Sequence, residues 1–428
     1  MKLKTILFFI VIVISFSGRA AEHDDGLTTP GKPIIELLDA ESLSEAQVVD
    51  NVEVEIEQVP VIAAIQGNPD NPDYKALKAI IDASLKSHKG RGYVADSCEH
   101  PTVPGRMTAF NGYFNYEGFL GLETAYKDTG DESFVTEMYT MAELYIDAGR
   151  DEDGDGYNDW WSCSRKDFMH HHFEWRAAAG IGVLLNLLVE DSSLSKFNQK
   201  FLATFLRDHV WDKWDSENTP DGRHYYRLSD ATYMLARMIP VVVALKGYYD
   251  DGLGQSTSPG TPGKPYVDFL TGTDSVVNQL QEHLLHPANH DKSTGATNLR
   301  GRAEPAPGVD VTGTLSPGTV DISHAQDFVV GMILAGNKGY LSNFTGLING
   351  LCAALNNVIW DGTGFNFYVD GNSNKYWPSP RGWFALVEYC PQHIDAFRDW
   401  TIANIQVSSN SHPARISSSA YLLRLSRI

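Results

Sequence analysis

Apolar residues from Asn71 onward recur at three- and four-residue spacing, the signature of helices with one buried face. "NPDYKALKAIIDASLKSH" is the first such stretch. "YEGFLGLETAYKDTGDESFVTEMYTMAELYIDAG" reads as two helices separated by a "DTGDES" turn. "HHHFEWRAAAGIGVLLNLLVED" with "SKFNQKFLATFLRDHVWDKW" makes the next pair, and "SDATYMLARMIPVVVALKGYYDD" with "YVDFLTGTDSVVNQLQEHLLH" another. "DISHAQDFVVGMILAGNKG" with "FTGLINGLCAALNNVIW" makes a fourth, and "PRGWFALVEYC" and "ARISSSAYLLRLSR" close the series. Within each pair one member is small and apolar nearly all round, as in "AAAGIGVLLNLL", and the other is plainly amphipathic. A helix apolar all round is buried on several sides. The pattern therefore predicts an all-α fold with an inner and an outer layer, an (α/α) toroid or incomplete barrel of helical hairpins. An irregular bundle is the other architecture compatible with it.

Two stretches interrupt the helices. Residues 286–320 form a Gly/Pro-rich insertion, and loops of that length in a compact domain are often lids or binding loops. "GTGFNFYVDGNSNKYWPSPRGW" predicts a small β-hairpin with an aromatic, arginine-bearing tip. Ahead of the helices, Lys2, Lys4 and "TILFFIVIVISFSG" read as a signal peptide over residues 1–20, with Gly18 and Ala20 suited to the cleavage site. Residues 21–70 read as an acidic N-terminal extension in which "VEVEIEQVPVI" alternates like a strand, and 71–428 as the toroid domain. The expectation is a secreted or periplasmic protein without a membrane anchor. The net charge of −20 argues against a nucleic-acid partner, because such proteins carry a basic footprint. In an oxidising compartment the four cysteines can form two disulfides in three ways, and the arrangement of Cys98 with Cys163 and Cys352 with Cys390 is favoured because each pair shares a half of the chain.

"DEDGDGYND" has the spacing of a calcium loop. Carboxylates of Asp151, Asp153, Asp155 and Asp159 at positions 1, 3, 5 and 9 can face one hard cation, and the Tyr157 carbonyl at position 7 adds an oxygen. Glycine at position 6, Gly156, permits the sharp turn, and Ser162 replaces the usual Glu at position 12. The expected ion is a structural Ca2+ that pins the chain leading to the histidines.

"DFMHHHFEWRAAAGIG" places His170, His171 and His172 in a row. Consecutive histidines fan over roughly 200° of a helix, so at most two face one point. Zinc ligands on a helix favour i, i+4 spacing instead. Proton handling fits better, at a helix end whose free N–H groups and positive dipole suit a carboxylate. "HHHFEW" followed by small residues resembles the N-N-H-x-x-W helix of the alginate lyase superfamily, secreted polysaccharide lyases built on an (α/α) toroid. The resemblance implies that His171 stands where an asparagine neutralises the uronate carboxylate. It puts His172 where a histidine acts in proton abstraction. It further implies a role for "DGRHYYRLSDATYMLARM", with Arg223, Tyr225, Tyr226, Arg227 and Tyr233, in the place of that family's arginine and tyrosine segment. His172 and Tyr226 would share the base and acid roles, in either order. His171 or Arg223 would hydrogen-bond the carboxylate.

Further candidates lie elsewhere. His324, in the first turn after the long insertion, offers another imidazole at an inner-helix end. Trp377 and Arg381 suit stacking on a sugar and pairing with its carboxylate. Asn115 begins another inner helix, and Glu174 follows the histidines. The expected partner is an acidic polysaccharide, alginate or glucuronan among them, cleaved by β-elimination. A glycoside hydrolase would instead need paired acids, for which Glu117, Glu174, Asp230 and Asp321 are available. A uronate epimerase would use nearly the same groups as a lyase. A non-catalytic glycan-binding protein is a further alternative.

Overall fold

A computed structural model of the chain describes residues 72–90, 108–161, 171–215, 232–250, 263–272, 275–285, 322–366, 369, 381–404 and 416–421. All of them belong to the unit Val59–Ile428. They are mostly helical, as the periodicity predicts, and no strand occurs among them. Two isolated antiparallel bridges are present, Arg150 with Asp159 and Trp360 with Phe365. Trp360–Phe365 lies at the start of the expected hairpin, most of which falls outside the described residues. Residues 1–71 and 286–321 also fall outside them. No helix of the described residues is long and apolar enough to cross a membrane.

The helices are α1 (Pro72–Gly90), α2 (Ala109–Thr129), α3 (Ser133–Ala148), α4 (His171–Glu190), α5 (Gln199–Phe205), α6 (Asp212–Asp215) and α7 (Thr232–Tyr249). α8 (Lys264–Leu270), α9 (Val276–Leu285), α10 (Ile322–Asn337), α11 (Phe344–Ala354), the 3-10 helix Arg381–Glu388 and α12 (Ile394–Asn404) follow, and a short helical segment spans 416–421. The helices that read as apolar all round, α2, α4, α7 and α10, pack on one another in that order, and the 3-10 helix packs on α10. Segment 416–421 lies against α2, because a methyl group on Gly121 would stand 2.6 Å from Ser417 Cα. Its Tyr421 ring also meets Phe384 of the 3-10 helix, 6.3 Å between centroids. The amphipathic helices stand behind these, α3 on α2, α5 on α4, α8 and α9 on α7, and α11 on α9 and α10.

Small residues set these contacts. A methyl group on Gly182 would stand 2.7 Å from the Pro240 carbonyl carbon, and one on Gly331 2.6 Å from the Ala236 oxygen. Glycine inside a helix costs roughly 0.5–1 kcal/mol relative to alanine. Here the close backbone approach uses it. "AAAGIG" after Arg176 is thus the contact surface of α4, as its composition suggested. Cys352 of α11 and Cys390 lie at disulfide distance, Cα to Cα 5.9 Å, matching the expected pairing. Cys98 and Cys163 lie outside the described residues.

Candidate functional site

Four buried charges join α2, α4, α7 and α10. Arg176 on α4 reaches Asp327 on α10 through Nε at 3.0 Å and Nη2 at 3.3 Å. It also donates to Glu117 on α2 at 3.1 Å and to the Tyr113 carbonyl at 3.2 Å. Arg237 on α7 donates its Nε to the same Asp327 oxygen at 2.8 Å. Gln326 bridges further, giving an N–H to Glu117 at 3.2 Å and accepting from Gly382 N of the 3-10 helix at 3.1 Å. All four charged side chains are nearly inaccessible to solvent. Two guanidiniums face two carboxylates, so the group is formally neutral. Burial disfavours the Arg176 charge, yet the Asp327 carboxylate, together with Tyr113 and Tyr116, outweighs this and holds its pKa above the ordinary value. Tyr116 is buried beside them, its hydroxyl without a hydrogen-bond partner. Burial, and then the Asp327 charge, push its pKa well up.

This cluster fixes the direction of the helices. Arg176, Arg237 and Asp327 each occupy the second turn of their helix, and Glu117 the third turn of α2. Further along, Gly182 of α4 meets Pro240 of α7, and Gly180 of α4 meets Phe119 of α2. Contacts that advance together in both partners mean parallel helices. α2, α4 and α7 are therefore parallel, and α10 brings its second turn to the same cluster. The 3-10 helix starts there too, with Trp383 Nε1 donating to the Ile322 carbonyl at 3.1 Å.

Several residues singled out in the sequence lie at the cluster end of these helices. His172 precedes Arg176 by four residues and Tyr233 precedes Arg237 by four, so each backbone stands about 6 Å beyond the cluster along its helix. His171 adjoins, and Arg381 opens the 3-10 helix. The side chains of His171, His172, Tyr233 and Arg381 are outside the described residues. His324 is half-buried in the first turn of α10, three residues before Asp327, as expected. Tyr113, which the sequence did not single out, is half-buried at the same end, its ring 4.1 Å beneath the Arg176 guanidinium and edge-on to Phe173 at 5.1 Å. Asn115 is elsewhere, buried in the packing of α2, α3 and α4 near Phe119, Tyr145 and Ala177. Arg223, Tyr225, Tyr226, Arg227 and Trp377 lie outside the described residues.

A second buried cluster sits at the first turn of α4. Lys213 Nζ donates to Asp159 at 2.8 Å, to Glu174 at 3.1 and 3.2 Å, and to the Asn158 carbonyl at 2.9 Å. Trp214 Nε1 donates to Glu174 at 3.1 Å. A π-helical turn, Leu206–Trp211, joins α5 to α6 and leads into these two residues. Burial raises the pKa of Glu174 and of Asp159, with Lys213 only partly opposing it. The ammonium, disfavoured by burial but facing both acids, is held above its ordinary value. Glu174 is thus tied to Lys213 and Trp214, and the chain enters residues 216–231 from beside it and leaves them at the start of α7.

The acidic loop is closed by paired backbone bonds between Arg150 and Asp159, 2.7 and 3.2 Å. The carboxylates of Asp151, Asp153 and Asp155 are exposed and lie within 4.8 Å of one another. Gly154 and Gly156 take the left-handed conformation at φ +83° and +91°. Asp151 accepts from the Gly154 and Gly156 amides, and Asp155 from the Tyr157 amide. Asp159 is not one of the three that converge. It is buried, with one oxygen on Lys213 and the other 3.4 Å from the Glu152 amide. A groove of about 330 Å³ lies near this loop, lined by Ile146, Asn158, Asn198, Phe201, Phe205 and His209. His209 Nδ1 accepts from the Asn158 amide at 3.1 Å, and burial lowers its pKa. The sequence carries no signal for this groove.

Compared with known families and with curated proteins, the chain matches no family model and shows no significant match to a curated protein.

Proposed function

We propose that the protein is an exported enzyme that cleaves a uronic-acid-containing polysaccharide by β-elimination at the end where the inner helices begin. The observation that carries this is the meeting of the second turns of α4, α7 and α10 with α2 at one buried cluster, with His171, His172 and His324 in the first turns of α4 and α10. Aligned N-termini present positive potential and free N–H groups, which favour an anionic substrate against the net charge of −20. The pairwise order α2, α4, α7, α10, 3-10 helix, 416–421 and back to α2 is that of a closed inner layer, which supports the toroid reading.

Elimination removes the proton at C5, α to the carboxylate, forms the C4–C5 double bond and expels the glycosidic oxygen from C4. In this scheme His171 or Arg223 hydrogen-bonds the carboxylate and stabilises the enediolate. His172 and Tyr226 take the C5 proton and return one to the leaving oxygen. Two of the four acids a hydrolase would draw on, Glu117 and Glu174, are already buried against cations, which weighs against the hydrolase alternative. Asp151, Asp153 and Asp155 would hold a structural Ca2+. Incubation with a panel of polyuronides tests the proposal through the ultraviolet absorbance of the unsaturated product. Release of reducing ends without absorbance would show hydrolysis instead.

A further inference from the structure

The Asp327 carboxylate receives guanidinium Nε groups from two different helices on one oxygen, Arg176 at 3.0 Å and Arg237 at 2.8 Å. From this we infer that Asp327 is the positioning residue of the site, resting on the reading that His171, His172 and His324 act on the substrate. Asp327 is 1% exposed and lies a turn or so below those residues, so its effect reaches the substrate through the helices. A helix cannot slide or turn by one residue without withdrawing its charge from the shared carboxylate, since one residue is about 1.5 Å of rise and 100° of rotation. The cluster therefore sets the level of α4 and α7 against α10, and with it the spacing of His172 from His324.

Asp327→Asn keeps the volume but removes the charge that both guanidiniums share. Displacement of catalytic groups by an ångström lowers turnover about 100-fold, so kcat should fall by that order while KM stays within about twofold. Asp327→Glu, which keeps the charge, should recover part of kcat. Hydrogen exchange is the second readout. Asp327→Asn should raise amide exchange in the first two turns of α4, α7 and α10 and leave α11 and α12 unchanged. Wild-type kcat in Asp327→Asn, or exchange that rises evenly through the protein or nowhere, overturns the inference. If Asp327→Asn does not fold, the charge-balanced pair Arg237→Gln with Asp327→Asn replaces it, and wild-type kcat or undisturbed exchange in that pair overturns it equally. Wild-type protein inert on every polyuronide would sink the lyase proposal alone, because the exchange measurement still decides whether Asp327 sets these helix ends.

Discussion

Replacing Lys213 with methionine removes one ammonium and leaves two buried carboxylates. The Lys213 and Glu174 side chains are 4% and 2% exposed, and that of Asp159 is 1% exposed. Breaking a buried ion pair from one side costs about 3–5 kcal/mol, more than the pair contributes relative to apolar isosteres. Lys213→Met should fall in that range at pH 8. Glu174→Gln leaves the neutral pair of Lys213 with Asp159, and should lose less than about 2 kcal/mol. The pH dependence follows from the directions of the shifts. Glu174 and Asp159 have raised folded-state pKa values, so they bind protons more tightly when folded, and stability falls as pH rises through those values. Lys213 is also raised, so its contribution is complete below about 10.4 and is lost only above that. Without Lys213 the two acids rise further, and protonating them relieves the repulsion. The deficit of Lys213→Met should therefore shrink to below about 2 kcal/mol near pH 5. Urea unfolding followed by tryptophan fluorescence at both pH values measures this. A deficit equal at pH 8 and pH 5, or Lys213→Met as stable as Glu174→Gln at pH 8, would refute the reasoning.

Other expectations are simpler to state. Gly331→Ala puts a methyl group 2.6 Å from the Ala236 oxygen, and should lower stability by about 1–3 kcal/mol in the same unfolding assay, although alanine favours helix. Cys352→Ser should cost about 4 kcal/mol if the bridge acts by closing its 38-residue separation in the unfolded chain, and unchanged urea midpoints for wild type with and without reductant would refute that. Calcium at about 100 times its dissociation constant should stabilise the wild type by about 2.7 kcal/mol and leave Asp153→Asn/Asp155→Asn unmoved, so equal thermal shifts in both would place the ion elsewhere. His172→Ala and His324→Ala should each abolish most product absorbance while keeping the wild-type melting temperature.

The helices buried on several sides were legible in the chain because such burial erases amphipathic contrast. "AAAGIGVLLNLL" and "YMLARMIPVVVAL" show this directly, and their described apolar residues are buried nearly all round. The start of α10 was also legible, since His324 falls in the first turn as the insertion's end implied. The charged cluster was not. Asp327 sits where helix-start acids normally serve the helix terminus, and nothing local distinguishes it from one. Arg237 did carry a signal, since a lone arginine inside an apolar run almost never lies buried without a partner. Which partner is set by tertiary packing, and Asp327 lies 90 residues away. Asp159 shows the limit of spacing rules. Its place in "DEDGDGYND" suits a cation ligand, but Lys213, 54 residues on, provides a buried counter-charge that no pattern within the loop reveals. Glu174, a substrate-binding candidate in the sequence, is held by the same distant lysine.

The charges at 117, 176, 237 and 327 come from four helices and span most of the described chain. A chain emerging from the ribosome has Glu117, Arg176 and Arg237 in hand long before Asp327 exists. Until then both arginines lack the carboxylate that receives their Nε groups. A fragment ending before α10 therefore lacks the one side chain that ties α4 and α7 together through a shared oxygen, and its helices would meet without that tie.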